Sequence, residues 1–466
     1  KENSNNESLK EYSDKEYLKG QSDHESLEII SWDDFLKTGL KYMENRENNG
    51  NKSSNEFDES NDPNATLRAP VDFENLATIR YTSGTTGNPQ GVMFNHGNLR
   101  WMAEFIASMP PWKDRISEVS YLSFLPMNHV VEGILGTYAP YYAPAPLKLY
   151  FLENFQELPS MLPEIKPKVF FSVPRFYEKL WDSFSASTWG KMYCKTKNSL
   201  LKTILKKFLG NLLLKKAGLD KCSQLIVGSA PISENLIKEF QKLGIQIHNA
   251  YGLTEAPLVT INTLGDNQAH TVGKPLPQTL IKIAPDGEVL VKGPQVTSGY
   301  FKKDLSSLFS DKWLLTGDYG HLTEEGSLVI TGRKKEVMIN SYGKTISPLK
   351  MEVLLKSIPG ISEAMVIGEQ KPYCVGLIWV DETPSSLSSL DNAIINLNST
   401  LSRPEQIKRW AVLKNDLSID KGDLTANLKL KRKSIIKRYD ETIYFIYEGT
   451  LSSNMIHLGS GADIRN

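Results

Sequence analysis

The chain of 466 residues is long enough for roughly three domains of average size, although α/β enzymes often combine that mass into one large lobe and a smaller one. Its 54 Lys and Arg side chains balance 54 Asp and Glu side chains, so the composition does not favour a nucleic-acid partner. Three cysteines without zinc-ligand spacing argue against a disulfide framework and a structural metal. No apolar run reaches the ~20 residues of a spanning helix, and the polar start lacks the apolar core of a signal peptide, so we expect a cytoplasmic protein.

An alternation of strands and helices begins after a polar stretch at residues 47–64. That stretch has Phe57 as its single large apolar residue, which favours a flexible tether. "LATIRY" then predicts a strand leading into "YTSGTTGNPQGV", and "GVMF" predicts a second strand before a helix. Another strand and helix follow at "KVFFSVPRFYEKLWDSF", with Pro174 at the first helical turn.

The clearest unit is a strand, helix and strand pattern between residues 225 and 250. Residues 225–227 predict one strand, Ser233 predicts the helix cap, and residues 246–250 predict the next strand. A crossover of this length implies parallel neighbours, and ligands collect beyond the carboxyl ends of parallel strands. "GSAP" and "YGLTE" follow these two strands.

The second half of the chain is richer in short strands. Glycine turns separate them from about residue 287 onward, and one hairpin turns at Tyr342 and Gly343. A helix starting at Ser347 and further strands and helices continue to Tyr439, while the segment after Tyr447 shows no periodicity and is assigned no element. The sequence thus predicts an α/β fold with a large N-terminal lobe of parallel α/β sheets, a β-rich subdomain and a small C-terminal α/β domain.

The loop at residues 82–91 has the composition of a phosphate-binding site. Its hydroxyls can donate to phosphate oxygens, and its glycines let the backbone approach closely; these residues are Thr82, Ser83, Thr85 and Thr86, with Gly84, Gly87 and Gly91. It is not a Walker A motif, because no Lys-Ser/Thr pair opens a helix after it. On composition alone, a mobile Ser/Gly hairpin turn is the alternative.

Five motifs occur in a fixed order: "YTSGTTGNPQGV", "NAYGLTE", "LLTGDYG", "GRKKEVMINSYGKTISP" and "LTANLKLKR". This series resembles that of the adenylate-forming superfamily, which includes acyl-CoA synthetases, luciferases and peptide-synthetase adenylation domains. "FLPMNHVVEG", "GSAPIS" and the ending "LTANLKLKR" are most similar to long-chain and bubblegum-type fatty acyl-CoA synthetases. The resemblance implies an ATP- and Mg²⁺-dependent ligase in which a fatty acid attacks the α-phosphate of ATP and the thiol of CoA then displaces AMP.

The resemblance also implies which residues act. It makes Lys429 the catalytic lysine and places Thr254 at the α-phosphate. Thr82 and Glu255 would hold Mg²⁺, so Glu255 counts with the catalytic residues. Tyr251 would stack on adenine, while Asp318 and Arg333 would bind the ribose. The other implied nucleotide-binding positions are Ser83, Gly84, Thr85, Thr86, Gly87, Gln90, Gly228, Ser229, Ala230, Asn249, Ala250 and Gly252.

The acyl and CoA sites are implied in the same way. His129 would lie near the acyl carboxylate, and Gly343 would lie on the path of the pantetheine arm of CoA. A hinge at residues 332–335 would let the small domain present Lys429 first and the Gly343 hairpin second. Taken singly, each residue has a simpler interpretation: Tyr251 and His129 as core residues, Asp318 as a turn former, Glu255 as a cap and Lys429 as part of a solvated basic face.

Two departures from the family pattern stand out. Gln90 occupies the position of a lysine, so a charge-assisted bond to phosphate is lost and we expect weaker ATP binding. Only about eighty residues precede the loop, fewer than the family pattern has, which indicates either a fragment or a reduced variant. The implied domains are residues 1–65, a subdomain remnant with a linker; 66–332, the large domain; 333–445, the small mobile domain; and 446–466, a tail.

The segment at residues 200–219 is a basic amphipathic helix. Five apolar residues form one stripe, namely Leu201, Ile204, Leu205, Phe208 and Leu212. Either it packs as an ordinary surface helix or it contacts an anionic membrane, which would make the protein peripheral to a membrane. Two alternatives to a CoA ligase also remain at this point: an adenylating enzyme that uses a carrier-protein thiol, and a noncatalytic nucleotide-binding protein. The sequence leaves the oligomeric state open.

Overall fold

The computed structural model describes residues 72–461 except 83–89, 113–114, 128, 139–142, 153, 196–199, 304–307, 381–386, 415–416 and 426–428. The predicted remnant at residues 1–65 and the loop residues from Ser83 to Gly87 therefore lie outside the described residues. We refer to the strands up to residue 333 and their helices as the large lobe, and to the elements after it as the C-terminal lobe.

A seven-stranded sheet forms the centre of the large lobe. Its strands are β3 (Val119–Ser123), β4 (Leu147–Phe151), β5 (Val169–Ser172), β6 (Gln224–Val227), β7 (Ile247–Leu253), β8 (Ala256–Ile261) and β9 (Lys274–Pro275). They are ordered β4-β3-β5-β6-β7-β8-β9; the pairs from β4 to β7 are parallel, and β8 and β9 are antiparallel. All four residues of β5 are buried, as expected for a parallel strand covered on both faces.

The helices of the large lobe cover this sheet. They are α1 (His96–Ala107), α2 (Val130–Leu135), α3 (Leu158–Ile165), α4 (Pro174–Ala186), α5 (Thr188–Lys195), α6 (Leu200–Lys216) and α7 (Glu234–Lys242). Helix α4 packs onto the sheet through Tyr177, whose ring is buried against Phe240 of α7 and whose hydroxyl donates to the carbonyl of Ile226. The core thus fixes the carboxyl end of β6.

Two antiparallel sheets complete the large lobe. The first has the order β1-β2-β12, from β1 (Leu76–Thr82), β2 (Gln90–Asn95) and β12 (Gly299–Tyr300). The second contains β10 (Leu280–Ile283), β11 (Glu288–Lys292), β13 (Phe309–Ser310), β14 (Trp313–Leu322) and β15 (Leu328–Arg333), with β14 pairing β11, β13 and β15. Strands β1 and β2 are the predicted strands on either side of the loop for which phosphate binding was predicted, and Thr82 pairs with Gln90 across them.

The C-terminal lobe contains a hairpin and a four-stranded sheet. The hairpin is β16 (Met338–Ile339) with β17 (Thr345–Ile346). The sheet has the order β18 (Ile361–Ile367), β19 (Cys374–Val380), β20 (Ile407–Leu413) and β21 (Met455–Ser460), with β19 and β20 parallel. Its helices are α8 (Pro348–Lys356), α9 (Leu387–Asn398), α10 (Arg432–Arg438) and α11 (Asp440–Glu448). The predicted α/β fold class, with a β-rich part and a C-terminal α/β part, is confirmed.

Several local expectations can be compared with these elements. Strands β6 and β7 are parallel, as the crossover length predicts. Ser233 and Ser347 occupy the N-cap positions of α7 and α8, but neither side chain makes a capping hydrogen bond. The segment after Tyr447, to which the sequence assigned no element, contributes β21 to the edge of the C-terminal sheet.

Helix α6 uses a different face for packing than its apolar stripe suggests. Leu209 and Leu213 are buried, whereas the side chains of Phe208 and Leu212 from the predicted stripe are 56% and 38% exposed. Trp189 of α5 is also exposed and packs edge-on against Phe208, with ring centroids 6.4 Å apart. Among the helices of the described residues, none is both long and apolar enough to cross a membrane.

Candidate functional site

A large continuous cavity collects most of the predicted site residues. It is lined by Thr82, Gln90, His129, Gly228, Ser229, Ala230, Asn249, Ala250, Tyr251, Gly252, Thr254, Glu255, Asp318, Arg333 and Lys429. They come from β1, β2, β14 and β15, from the loop before α2, from the carboxyl ends of β6 and β7, and from the C-terminal lobe. Gly343 is not among the lining residues. It lies exposed in the turn between β16 and β17 with a φ of 72°.

Asp318 is the centre of a hydrogen-bonded group on one wall of the cavity. Its Oδ2 accepts from the Tyr251 hydroxyl at 2.7 Å, and its Oδ1 lies 3.2 Å from Nε of Arg333. Burial raises the pKa of Asp318, while Arg333 opposes this rise. A carboxylate oxygen can accept more than one hydrogen bond, so this group can still receive two neighbouring hydroxyls of a sugar.

The turn after β6 brings the backbone close to β7. A side chain at Gly228 would place its Cβ 3.1 Å from the carbonyl oxygen of Ala250, which explains the glycine there. The next residue, Ser229, has a φ of 68°, in the left-handed region. The close packing also explains the glycine at position 252, because a Cβ there would lie 2.2 Å from the carbonyl oxygen of Pro257.

Glu255 is held by a tyrosine that the sequence did not single out. The hydroxyl of Tyr300 on β12 donates to Oε1 of Glu255 at 2.6 Å. Both residues line the cavity with Thr82 and Thr254. Within the described residues, no three His, Cys, Asp or Glu side chains cluster as metal ligands. Mg²⁺ is usually held by one or two protein oxygens together with substrate phosphates and water, so a hydroxyl and an anchored carboxylate fit that ion.

His129 begins α2 and faces Ser229 across the cavity wall. Its Nδ1 accepts from the backbone N–H of Val131 at 3.3 Å, and its Nε2 lies 3.1 Å from Oγ of Ser229. Burial, with a smaller contribution from the Lys429 charge, lowers the pKa of His129 to about 4. The imidazole is therefore neutral near pH 7, with its proton on Nε2.

The segment that carries His129 is fixed by two charged residues absent from the sequence predictions. Glu132 is fully buried and accepts four hydrogen bonds, from the hydroxyls of Tyr121 and Ser123 and the backbone N–H groups of Phe124 and Leu125. Arg80 of β1 donates to the carbonyls of Met127 and Gly133. His129 and Glu132 are three residues apart in "NHVVEG", a spacing that places them on one face of a helix and could have indicated the second residue.

Lys429 reaches the cavity from the C-terminal lobe. Its backbone N–H donates to Oγ1 of Thr425, and its carbonyl accepts from the backbone N–H of Thr425. These two hydrogen bonds fix the backbone of Lys429 relative to Thr425. Burial, and then the charge of Arg333, lowers the pKa of Lys429 to about 8. Lys431 and Lys433, which composition could not distinguish from Lys429, also border the cavity but are exposed.

Charged residues connect α4 of the large lobe with the C-terminal lobe. Nζ of Lys356 lies 3.7 Å from Oε1 of Glu178 and 3.3 Å from Oε2 of Glu363. Arg175 donates to the carbonyl of Ser362 at 3.1 Å. These contacts hold the C-terminal lobe in the arrangement in which Lys429 faces the cavity.

Comparison with known proteins agrees with this geometry. The sequence matches the family described as AMP-binding enzyme over residues 13–301 and the AMP-binding enzyme C-terminal domain over residues 335–450. The chain belongs to the AMP-binding enzyme family. This AMP-binding enzyme is 31% identical over 418 residues to the long-chain-fatty-acid--CoA ligase FadD15 of Mycobacterium bovis, covering 80% of the chain and 69% of the relative. It is 30% identical to the long-chain-fatty-acid--CoA ligase ACSBG2 of Xenopus laevis, covering 81% of the chain and 61% of that protein.

Solved structures share the fold. ATP-bound MatB from Rhodopseudomonas palustris superposes with a TM-score of 0.62 at 23% identity, covering 80% of this chain and 69% of that one. The o-succinylbenzoate CoA synthetase MenE from Bacillus subtilis, in complex with AMP, gives a TM-score of 0.59 at 23% identity and covers 78% and 69% of the two chains. The AMP-binding enzyme thus has the fold of adenylate-forming enzymes.

Proposed function

We propose that this AMP-binding enzyme is an ATP-dependent ligase that activates a medium- or long-chain fatty acid and transfers the acyl group to CoA, releasing AMP and pyrophosphate. The observation that carries the proposal is the convergence on one cavity of the buried Asp318 carboxylate, the partly buried Lys429 and a large apolar wall. The names of FadD15 and ACSBG2 support fatty acid and CoA as the substrates.

In this proposal the nucleotide lies between Tyr251 and Arg333. Asp318 would accept the ribose hydroxyls, and the turn formed by Gly228 to Ala230, together with Asn249, Ala250 and Gly252, would enclose the adenine. Lys429 and Thr254 would contact the α-phosphate, where negative charge accumulates during attack by the carboxylate. A preorganised cation at that point stabilises the transition state without a nucleophilic side chain. The loop residues from Ser83 to Gly87 would add donors to the phosphates.

Thr82 and Glu255 would hold Mg²⁺. The ion would supply positive charge to the phosphates, and the protein would supply one hydroxyl and one carboxylate whose direction Tyr300 fixes. Gln90 is a neutral donor at the end of the same loop, so the phosphates receive less positive charge there than from a lysine.

The acyl chain would occupy the apolar part of the cavity. Side chains from α1 and the following turn, α3, α4 and α6 line it, namely Trp101, Phe105, Ile106, Met109, Trp112, Leu158, Leu162, Phe176, Leu209 and Leu213. Such a wall buries methylene groups at ~0.8 kcal/mol each. A long alkyl chain therefore gains more binding free energy from this wall than a short acid does.

The second half-reaction would need another arrangement of the C-terminal lobe. Gly343, the implied CoA contact, lies outside the cavity lining while Lys429 lies inside it. We propose that residues 332–335 form the hinge between a large domain at 66–332 and a small domain at 333–445. Rotation there would exchange the two groups.

The exposed side chains of Phe208, Leu212 and Trp189 are proposed as a peripheral membrane contact, with Lys206 nearby to attract anionic lipids. Flotation with anionic liposomes tests this proposal. We expect Phe208→Ser to reduce the bound fraction, with Leu264→Ser, another exposed apolar position, as the matched control. Equal flotation of the two variants and the unmodified protein would reject the contact.

A fatty-acid-dependent exchange of pyrophosphate into ATP, run with and without CoA, tests the main proposal. We expect exchange that requires both Mg²⁺ and fatty acid, and CoA-dependent release of AMP. Exchange without CoA-dependent AMP release would favour a carrier-protein thiol as the acceptor. Absence of exchange with every acid in a panel from eight to twenty carbons would favour a noncatalytic nucleotide-binding protein.

A further inference from the structure

Ser229 occupies a backbone conformation that favours glycine. Its φ of 68° lies in the left-handed region, where a residue with a Cβ is strained. Glycine precedes it at position 228, so the turn already contains one residue without this restriction. Strained non-glycine residues of this kind concentrate at ligand sites, and the side chain here borders the cavity.

The hydrogen bond from His129 sets the direction of the Ser229 hydroxyl. Nδ1 of His129 accepts from the backbone of Val131, so the ring proton is on Nε2 and is donated to Oγ of Ser229 at 3.1 Å. A hydroxyl that accepts one bond has its own hydrogen available for an acceptor. Within the part of the chain that the structure describes, His129 is the single hydrogen-bond partner of this hydroxyl.

The histidine cannot turn away from this position at low cost. Glu132, one turn further along α2, is anchored by four hydrogen bonds, and Arg80 holds the carbonyls on both sides of His129. Burial and the neighbouring Lys429 keep the ring neutral. The segment therefore presents a fixed, uncharged donor to Ser229.

We propose that Ser229 Oγ–H donates a hydrogen bond to the carboxylate of the fatty acid, and that His129 is a positioning residue that directs this hydroxyl. The inference rests on the proposed function and assigns a new role to a serine that the family resemblance implied only as a nucleotide-binding residue. One carboxylate oxygen accepts from Ser229 while the other attacks the α-phosphorus; the bond from that phosphorus to the bridging oxygen of the β-phosphate breaks, and pyrophosphate leaves with the bonding electrons. No proton is transferred, because the first oxygen keeps its hydrogen bond when it becomes the carbonyl oxygen of the acyl-adenylate.

A neutral donor suits this step better than a cation would. A carboxylate paired with a charged side chain loses nucleophilicity, because its negative charge is stabilised before the attack. A serine hydroxyl oriented by a neutral imidazole holds the carboxylate with less such stabilisation. The positive charge of Lys429 is then available to the phosphate.

The test compares Ser229→Ala, Ser229→Gly, His129→Gln and His129→Ala in the exchange assay, with Ser160→Ala, at an exposed serine on α3, as the control. We expect Ser229→Ala to raise KM for the fatty acid about 10- to 100-fold, the range for a hydrogen bond to a charged group, and to leave KM for ATP within about twofold. Ser229→Gly should raise KM for the acid equally and melt at a temperature no lower, because glycine accepts the left-handed backbone. His129→Gln, which retains an N–H donor, should show a smaller increase than His129→Ala.

Two further readouts separate this role from a structural one. Because the ring of His129 is neutral, KM for the acid should stay constant between about pH 5.5 and 7, whereas a charged histidine would change it near its ordinary pKa. Calorimetric titration of the nucleotide-free protein with the fatty acid should show the same loss of affinity in Ser229→Ala.

Each alternative result has a defined meaning. An unchanged acid KM in Ser229→Ala, or an increase in KM for ATP instead, overturns the inference while the proposed function stands. Absence of acid-dependent exchange in the unmodified protein overturns the proposed function. Unchanged calorimetric affinity in Ser229→Ala would then overturn the carboxylate contact as well.

Discussion

The partly buried Lys429 leads to a specific pH dependence of the first half-reaction. Its pKa is lowered to about 8, from an ordinary value of 10.5, by burial and by Arg333. The charged fraction of such a lysine falls from about 90% at pH 7 to about 10% at pH 9. If the ammonium stabilises the charge that develops on the α-phosphate, kcat/KM for ATP in the exchange reaction should fall about tenfold over this interval, because kcat/KM reports the pKa of the free enzyme.

Three variants test whether Lys429, and not another titrating group, causes the decrease in kcat/KM at alkaline pH. Lys429→Ala removes the ammonium and should lower the exchange rate about 100- to 1000-fold at pH 7, the range for loss of one preorganised donor to a transition-state oxyanion. Lys429→Arg keeps its charge at all accessible pH values and should abolish the decrease above pH 8, whatever its absolute rate. Lys437→Ala, at an exposed lysine of α10 outside the cavity lining, should behave like the unmodified protein.

The decisive measurement is the pH profile of Lys429→Arg. If that variant shows the same alkaline decrease as the unmodified protein, another group titrates and the reasoning from Lys429 is wrong. A profile of the unmodified protein that stays flat to pH 9 would equally contradict a lysine pKa near 8.

Three other predictions concern single contacts. Gln90→Lys should lower KM for ATP about fivefold, because a charge-assisted bond replaces a neutral one, and an unchanged KM would contradict this. Tyr300→Phe removes the hydrogen bond to Glu255, so the Mg²⁺ concentration for half-maximal exchange should rise about tenfold, measured by Mg²⁺ titration; a shift in KM for the acid alone would argue against it. Glu132→Gln places an amide donor among four donors and should reduce the free energy of unfolding in urea by about 3 kcal/mol, whereas Glu104→Gln on the exposed face of α1 should change it little.

The sequence indicated residues that line the cavity but not the contacts between them. Tyr251 follows the strand predicted at residues 246–250, and ligands collect at the carboxyl ends of parallel strands. Asp318 lies inside the antiparallel strand β14, so only the resemblance to the family indicated its role. The contact between His129 and Ser229 joins residues 100 positions apart, so no local pattern could indicate it. Tyr300 was missed for a similar reason, since a tyrosine at the end of a short strand has no periodicity to mark it.

Two elements show where local patterns give incomplete information. The apolar stripe of α6 was recognised, but which face packs depends on the neighbouring α7 and its loop, where Gly210 lies close to the carbonyl of Leu243. Strand β21 was not predicted because Gly459 weakens its pattern. That glycine is required by tertiary structure, since a Cβ there would lie 2.1 Å from the indole nitrogen of Trp410.

Strand β21 also limits how far the protein can be shortened at its C-terminal end without loss of a correctly folded product. The match to the C-terminal family ends at residue 450, yet the strand that protects one side of β20 begins at Met455. An expression clone stopping at residue 450 would leave β20 as an unprotected sheet edge and would remove His457, which bonds Asp391 beside the buried Trp410. Edges of this kind recruit strands from other molecules. Such a shortened product should therefore accumulate in inclusion bodies even though every residue of the cavity is still encoded.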